Sequence, residues 1–246
     1  VKLDGKVAIV TGGSRGLGRA IAEAYADEGA TVVCAARSCP AASTAGEGAA
    51  SRMVFDHVDV SRSESVRELM ERTRAAHGRI DIVVANAGIS RDGTIVKLTA
   101  EQWRETMDTN LAGTFYAISS AARHMRHQGA GRIITVSSSM AMRPTRGVAA
   151  YSASKAGIEA LTRVAAVELG RHGILVNCIA PGFLNGGLGD GVKSNTDVWS
   201  GYAPRLAQSR PGELREAAHA AVFLAGPDST YVNGAVIEVN GGMSWA

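Results

Sequence analysis

Residues 7–18 read VAIVTGGSRGLG. Val7–Thr11 is a continuous apolar run of strand length, and Leu17–Asp27 has helical spacing and stops near Gly29. The turn between them carries Gly12, Gly16 and Gly18. A residue without Cβ at Gly12 lets the chain turn sharply. At Gly16 or Gly18 the missing Cβ lets a pyrophosphate approach the backbone. The helix N-terminus beyond it offers unpaired N–H groups and partial positive charge. A glycine turn that follows the first strand and opens the first helix therefore points to a dinucleotide. The spacing is TGxxxGxG rather than the commoner GxGxxG.

Outward from this stretch, the same alternation continues. Strands are expected at Thr31–Ala36, Met53–Phe55, Ile82–Ala85, Arg132–Val136, Ile174–Ile179 and Ala235–Val239. Helices are expected at Ser63–His77, Glu101–Arg126, Tyr151–Arg171 and Glu213–Leu224, the first with Val66, Leu69 and Met70 on one face. Continuous apolar strands separated by helices form parallel βαβ units with both faces covered. The expected fold is α/β, a doubly wound sheet in one domain spanning 1–246. Ser38–Ser51 reads as a pliable loop. Phe183–Gly201 is glycine-rich and short of core residues, which predicts a mobile lid.

Composition narrows the class. The 246 residues are 46% hydrophobic and 20% charged, with a net charge of +3. That excess is no nucleic-acid signal, and no apolar run is long enough for a signal-peptide core or a membrane span. Three cysteines, Cys34, Cys39 and Cys178, show no CxxC spacing. Cys34 and Cys178, inside apolar runs, read as buried small hydrophobes, and the cysteine usage suits a reducing cytoplasm. The six histidines show no metal-ligand spacing, and no catalytic metal is expected.

Two groups of side chains carry chemistry. Ala36 stands at the end of the second strand, where an enzyme using NAD places a carboxylate for the ribose 2′-OH. Arg37 follows it, and Arg15 lies in the glycine turn, so both cations can grip a 2′-phosphate. Tyr151 and Lys155 are four apart and share a helix face. An ammonium there should lower the phenol's pKa, and Tyr151 can donate its proton to a forming alkoxide. Ser138 follows the fifth strand, at the strand end where such sheets place ligands, and its hydroxyl can bind a developing oxyanion.

The chain resembles the short-chain dehydrogenase/reductase family in TGGSRGLG (11–18), NAG (86–88), Asn110, Ser138, YSASK (151–155), Pro181-Gly182 and the terminal VNGG (239–242). It is most similar to the 3-oxoacyl-[acyl-carrier-protein] reductases and polyketide ketoreductases. The resemblance implies a Rossmann-type, seven-stranded parallel sheet, a homotetramer, and NADPH-dependent reduction of a 3-ketoacyl thioester held on an acyl carrier protein. A free alcohol, sugar or steroid as substrate is the alternative, and a non-enzymatic NADP(H) sensor a more remote one. The implied catalytic set is Asn110, Ser138, Tyr151 and Lys155, with Asn110 holding a water that links Lys155 to solvent. The implied cofactor contacts are Gly12, Ser14, Arg15, Gly16, Leu17, Gly18, Arg37, Ser38, Asp59 on the adenine, Val60, Asn86, Ala87, Gly88, Tyr151, Lys155, Pro181, Gly182 and Leu184. The family usually has Thr where Gly186 stands, and often Gly at Ala141. Arg123, Arg126, Arg132 and Arg171, with Arg143 and Arg146 nearer the pocket mouth, are the expected docking patch for an acidic carrier.

Overall fold

The computed structural model describes residues 1–38, 48–189 and 196–244. Cys39 and most of the Ser38–Ser51 stretch lie outside the described residues, as do residues 190–195 of the expected lid.

In chain order the elements are β1 (Val7–Thr11), α1 (Gly16–Asp27), β2 (Thr31–Ala36), β3 (Met53–His57), α2 (Ser63–His77) and β4 (Ile82–Ala85). Then come α3 (Ala100–Met107), α4 (Gly113–Gln128), β5 (Gly131–Val136), α5 (Ala149–Leu169) and β6 (Ile174–Pro181). Last are β7 (Leu184–Asn185), α6 (Thr196–Tyr202), β8 (Gly212–Glu213), α7 (Leu214–Ala225) and β9 (Val236–Val239). Seven strands form one sheet in the order β3-β2-β1-β4-β5-β6-β9, and every pairing in it is parallel.

Alternation along the strands divides the core in two. Ala8 and Val10 of β1 pack with Ile21 and Tyr25 of α1 and Ala221 and Val222 of α7. Ile9, between them, faces Leu69 and Met70 of α2 and Ala117 and Ala121 of α4. Successive side chains on a strand point to opposite faces, so continuous apolar strands demand helices on both sides. Tyr25 is fully buried and its hydroxyl donates to the Ala221 carbonyl at 3.0 Å, pinning α1 to α7. Cys34 and Cys178 are buried thiols, not disulfides.

The structure adds detail to two readings. The helical stretch expected over Glu101–Arg126 is present and widens into a π-helical turn at Asp108–Ala112. The expected lid is partly regular: Leu184 is buried, β7 pairs with β8, and α6 is a helix. Alternating glycines and polar residues hid a two-residue strand, because its pairing partner lies 28 positions away.

Candidate active site

The residues singled out above lie in the turns beyond the C-terminal ends of β1 to β6, in the π-helical turn and on the first turns of α5. Gly12 has φ +68° and Gly16 φ +55°, left-handed values that suit glycine. Gly18 has a different task from the one expected. A Cβ there would lie 2.2 Å from the Gly12 carbonyl oxygen and 2.4 Å from Asn86 Nδ2. Its missing side chain lets α1 close onto the turn rather than admitting a ligand. Asn86 fastens the same turn, since its Nδ2 donates to the Thr11 carbonyl at 2.9 Å, while Thr11 Oγ1 accepts from the Asn86 and Ala87 N–H groups.

The N-terminus of α1 suits a phosphate. Arg15 is its N-cap, no side chain caps it, and its first turn holds no acidic residue. Gly16 faces the segment beyond β6: a Cβ on it would meet Gly187 Cα at 3.2 Å. Ser14 and Leu17 flank the same turn, half-buried. Arg37 and Ser38 are exposed just past β2. Asp59 accepts the Ser61 N–H and hydroxyl at 3.1 and 2.7 Å. Those hydrogen bonds, with smaller help from Arg37 and Arg62, hold its carboxyl below the ordinary range. Val60 is buried and would meet any Cβ placed on Gly113. Pro181 ends β6, and Gly182 passes so close to Asn240 that a Cβ would sit 2.7 Å from its Cα. The uncapped N-terminus of α1, with Arg15 at its N-cap, and exposed Arg37 past β2 are groups that favour an anionic ligand.

Around Tyr151 the sheet and α5 meet. Lys155 is 3% exposed. Its Nζ donates to the Val136 carbonyl at 2.8 Å and lies 5.5 Å from the Tyr151 ring centroid. Burial pushes Lys155 down to about 8. Burial also raises the Tyr151 phenol; a hydrogen bond with Ser138 pulls the other way, and the charge of Asp92 adds to the rise. Lys155 is not among the groups that move this phenol. Desolvation wins, and the phenol stays protonated, the state a proton donor needs. Ser138 is largely buried, and its Oγ accepts the Met140 N–H at 3.2 Å.

Asn110 is fully buried in the π-helical turn. Its Oδ1 accepts the Ile89 N–H at 2.8 Å, and its Nδ2 donates to the Ile89 carbonyl at 2.9 Å and to Ser154 Oγ at 3.0 Å. The side chain clasps the turn after β4, and both amide hydrogens are used. A Cβ on Gly88 would lie 3.2 Å from Asn110 Oδ1 and 3.5 Å from Lys155 Nζ, so this glycine lets the two approach. Widened turns of this kind often mark functional sites in helices.

Three participants escaped the sequence reading. Glu159, one turn beyond Lys155, is only 5% exposed and lies 2.9 Å from Ser137 Oγ, which also reaches the Lys155 carbonyl at 3.1 Å. Nothing in the sequence separates this carboxylate from a solvated helix charge; the neighbouring Ser137 was its only trace. Asp92 and Ser154 were equally silent. Among the described residues, no group of three or more His, Cys, Asp or Glu could hold a metal ion. None of the described helices is long and apolar enough to cross a membrane.

Residues 12–244 match the family model described as enoyl-(acyl carrier protein) reductase. The chain belongs to the short-chain dehydrogenase/reductase family, a family of oxidoreductases acting on CH–OH groups. Among curated proteins it is 37% identical to the 3-oxoacyl-[acyl-carrier-protein] reductase FabG of Chlamydia muridarum, over 97% of each chain. It is 35% identical to the protein of that name from Escherichia coli, over 99% of each. Among solved structures, levodione reductase superposes with a TM-score of 0.90 at 30% identity, covering 98% of both chains. A short-chain dehydrogenase/reductase from Mycobacterium ulcerans gives 0.90 at 29%, covering 98% of this chain and 90% of that one.

Proposed function

We propose that this chain, acting as one dinucleotide-binding and catalytic domain in the cytoplasm, uses NADPH to reduce the C3 ketone of a 3-ketoacyl thioester held on an acyl carrier protein. The observation that carries the reading is Tyr151, kept protonated by burial, with Ser138 hydrogen-bonded to it and the Lys155 ammonium 5.5 Å from its ring. When bound, NADPH supplies the hydride that the carbonyl carbon takes. Ser138 Oγ donates a hydrogen bond to the carbonyl oxygen, and Tyr151 passes its phenolic proton to that oxygen as negative charge develops. Lys155 keeps a positive charge behind the phenol and is placed to hold the cofactor ribose. Asn110 fixes the turn at Gly88 and would hold the water that links Lys155 to solvent. Residues 183–189 and α6 are placed to close over the bound pair.

Arg37 and Arg15, with Ala36 in the place of a carboxylate, support the choice of NADPH. Arg37→Asp is expected to weaken NADPH and improve NADH, measured as kcat/KM for each. Equal efficiency with both cofactors in the unaltered protein removes this part of the reading.

The names of the FabG relatives support the carrier-bound substrate, but the expected docking patch needs revision. Arg143 is bound to Glu238 through Nη1 at 2.7 and 2.9 Å, and Arg132 is partly buried in β5. Arg126 and Arg171 are exposed and both act on His172. They lie where β5 and β6 begin, whereas Ser138 follows the other end of β5. A strand of six residues separates these ends by roughly 20 Å at ~3.3 Å per residue. Phe115, Val164 and Val167 leave an apolar face exposed on α4 and α5. A two-fold pairing of these helices, run antiparallel, sets the Arg126–Arg171 end of one subunit beside the Tyr151 end of its partner, and a second pairing completes a tetramer.

The deciding assay follows NADPH absorbance with carrier-bound and free 3-ketoacyl thioesters and with free ketones. Turnover of the thioesters is the expected result. Turnover of free cyclic ketones alone, the reading that the likeness to levodione reductase favours, overturns the carrier-bound substrate and leaves the reductase standing.

A further inference from the structure

Four side chains from three separate segments meet beside Ser138. Phe183 follows Gly182; its ring centroid lies 5.5 Å from that of Trp199 and 5.3 Å from that of Tyr202, at interplanar angles of 54° and 39°. Trp199 and Tyr202 belong to α6. The Tyr202 hydroxyl approaches Met140 Sδ at 3.8 Å. Met140 is two residues past Ser138, and its N–H donates to the Ser138 hydroxyl. All four side chains are half-buried, so each has a covered face and an open one. The arrangement is an apolar wall one turn of chain from the oxygen that would hold the substrate carbonyl. Met142, on the same loop, is about half exposed.

The wall is held from behind. Arg205 stacks on Tyr202 with its guanidinium carbon 5.8 Å from the ring centroid, and the Arg205 carbonyl accepts the Ser244 N–H at 2.8 Å. The Arg143–Glu238 pair ties the Met140 loop to β9. A support of this kind keeps rings in fixed orientation, which matters for recognition of another ring. Tilted aromatic faces attract a planar ring edge-on or offset, through quadrupole as well as contact area. A thioether beside them adapts its shape to what arrives and favours aromatic contact. A flexible alkyl chain gains only area from the same surface and loses rotamer freedom on binding.

We infer that Phe183, Trp199, Tyr202 and Met140 select a ketone whose substituent next to the carbonyl is an aromatic ring. This rests on the reductase reading of the Ser138–Tyr151 site and deepens it.

The test measures kcat/KM for three N-acetylcysteamine thioesters: acetoacetyl, 3-oxooctanoyl and 3-oxo-3-phenylpropanoyl. The phenyl substrate is expected to exceed each of the others by about tenfold, the effect of one good set of ring contacts. Trp199→Ala and Met140→Ala are expected to move that ratio toward one, and Trp199→Phe to retain it. A structural role in folding the lid would scale all three substrates together and leave the ratio unchanged in Trp199→Ala, which overturns the inference. A preference for the octanoyl chain over the phenyl ring overturns it as well. If no thioester is turned over, the ratio is read on acetophenone against butanone. A phenyl preference there upholds the wall while the thioester reading fails, and no preference there overturns the wall.

Discussion

Tyr151 and Lys155 share one desolvated corner, and burial moves the two groups in opposite directions. The phenol is raised and the ammonium is lowered to about 8. Tyr151→Phe keeps the ring and removes the hydroxyl that carries the proton. Turnover is expected to fall about 10²–10⁴-fold, the usual worth of proton donation, with NADPH affinity nearly unchanged by fluorescence titration. Activity within a few-fold of the unaltered protein removes Tyr151 from the mechanism. Lys155 makes a second, independent prediction. Its proton leaves the folded chain near pH 8 but the unfolded chain only near 10.5. The unfolded state therefore binds more protons between those values, and stability from this group rises with pH across that window. Below pH 8 its cost to folding is present in full. Without cofactor, the unfolding free energy of Lys155→Met minus that of the unaltered protein should fall from pH 8 to 10.5. A difference independent of pH contradicts the assigned shift. The sequence made the pair visible, because four residues on a helix is one face. It could not give the direction of the phenol's shift, which depends on how much water the fold excludes.

At the scale of elements, the glycine turn is where sequence and structure agree on the pattern and differ on the reason. Gly12 and Gly16 take positive φ, but Gly18 is needed for the contact between α1 and the turn. Gly18→Ala would press a Cβ into the Gly12 carbonyl, a backbone atom that cannot swing aside. Overpacking at such a contact costs about 1–3 kcal/mol. A lower denaturation midpoint, together with weakened cofactor binding, is the expected result. An unchanged midpoint in urea shows that the turn has room the structure does not reveal. The central strands β1, β2, β4, β5 and β6 were legible because both their faces are buried and their runs are continuous. The π-helical turn at Asp108–Ala112 was not legible, since it conserves helical periodicity on each side and inserts only a local widening. Asn110 signalled it weakly: a buried amide within a helix needs partners outside the helix, and it finds them in Ile89 and Ser154. The β7–β8 pair was hidden for a different reason. Two residues carry no period, and their pairing is set by how β6 and α7 are placed.

For the whole molecule, the separation of Arg126 and Arg171 from Tyr151 turns a question about substrate into one about assembly. Charge at the far end of the sheet, roughly 20 Å of strand from the Ser138 end, is poorly placed to guide a carrier to the site of its own chain. It can do so for a partner if α4 and α5 pair antiparallel about a two-fold axis. Arg126→Glu with Arg171→Glu is expected to raise KM for a carrier-bound substrate about tenfold at low salt and hardly at all for a short thioester, with the difference fading as salt rises. A mixing experiment then separates the two geometries. One chain carries Tyr151→Phe and an intact patch; the other carries an intact site and the reversed charges. Neither alone handles the carrier-bound substrate well. Co-expressed, they form mixed pairs in which the intact site of one chain faces the intact patch of the other. Recovery of carrier-bound turnover well above that of either parent is expected. If mixing restores nothing although mixed pairs are shown to form, the patch does not serve the neighbouring site, and the carrier, if there is one, docks elsewhere.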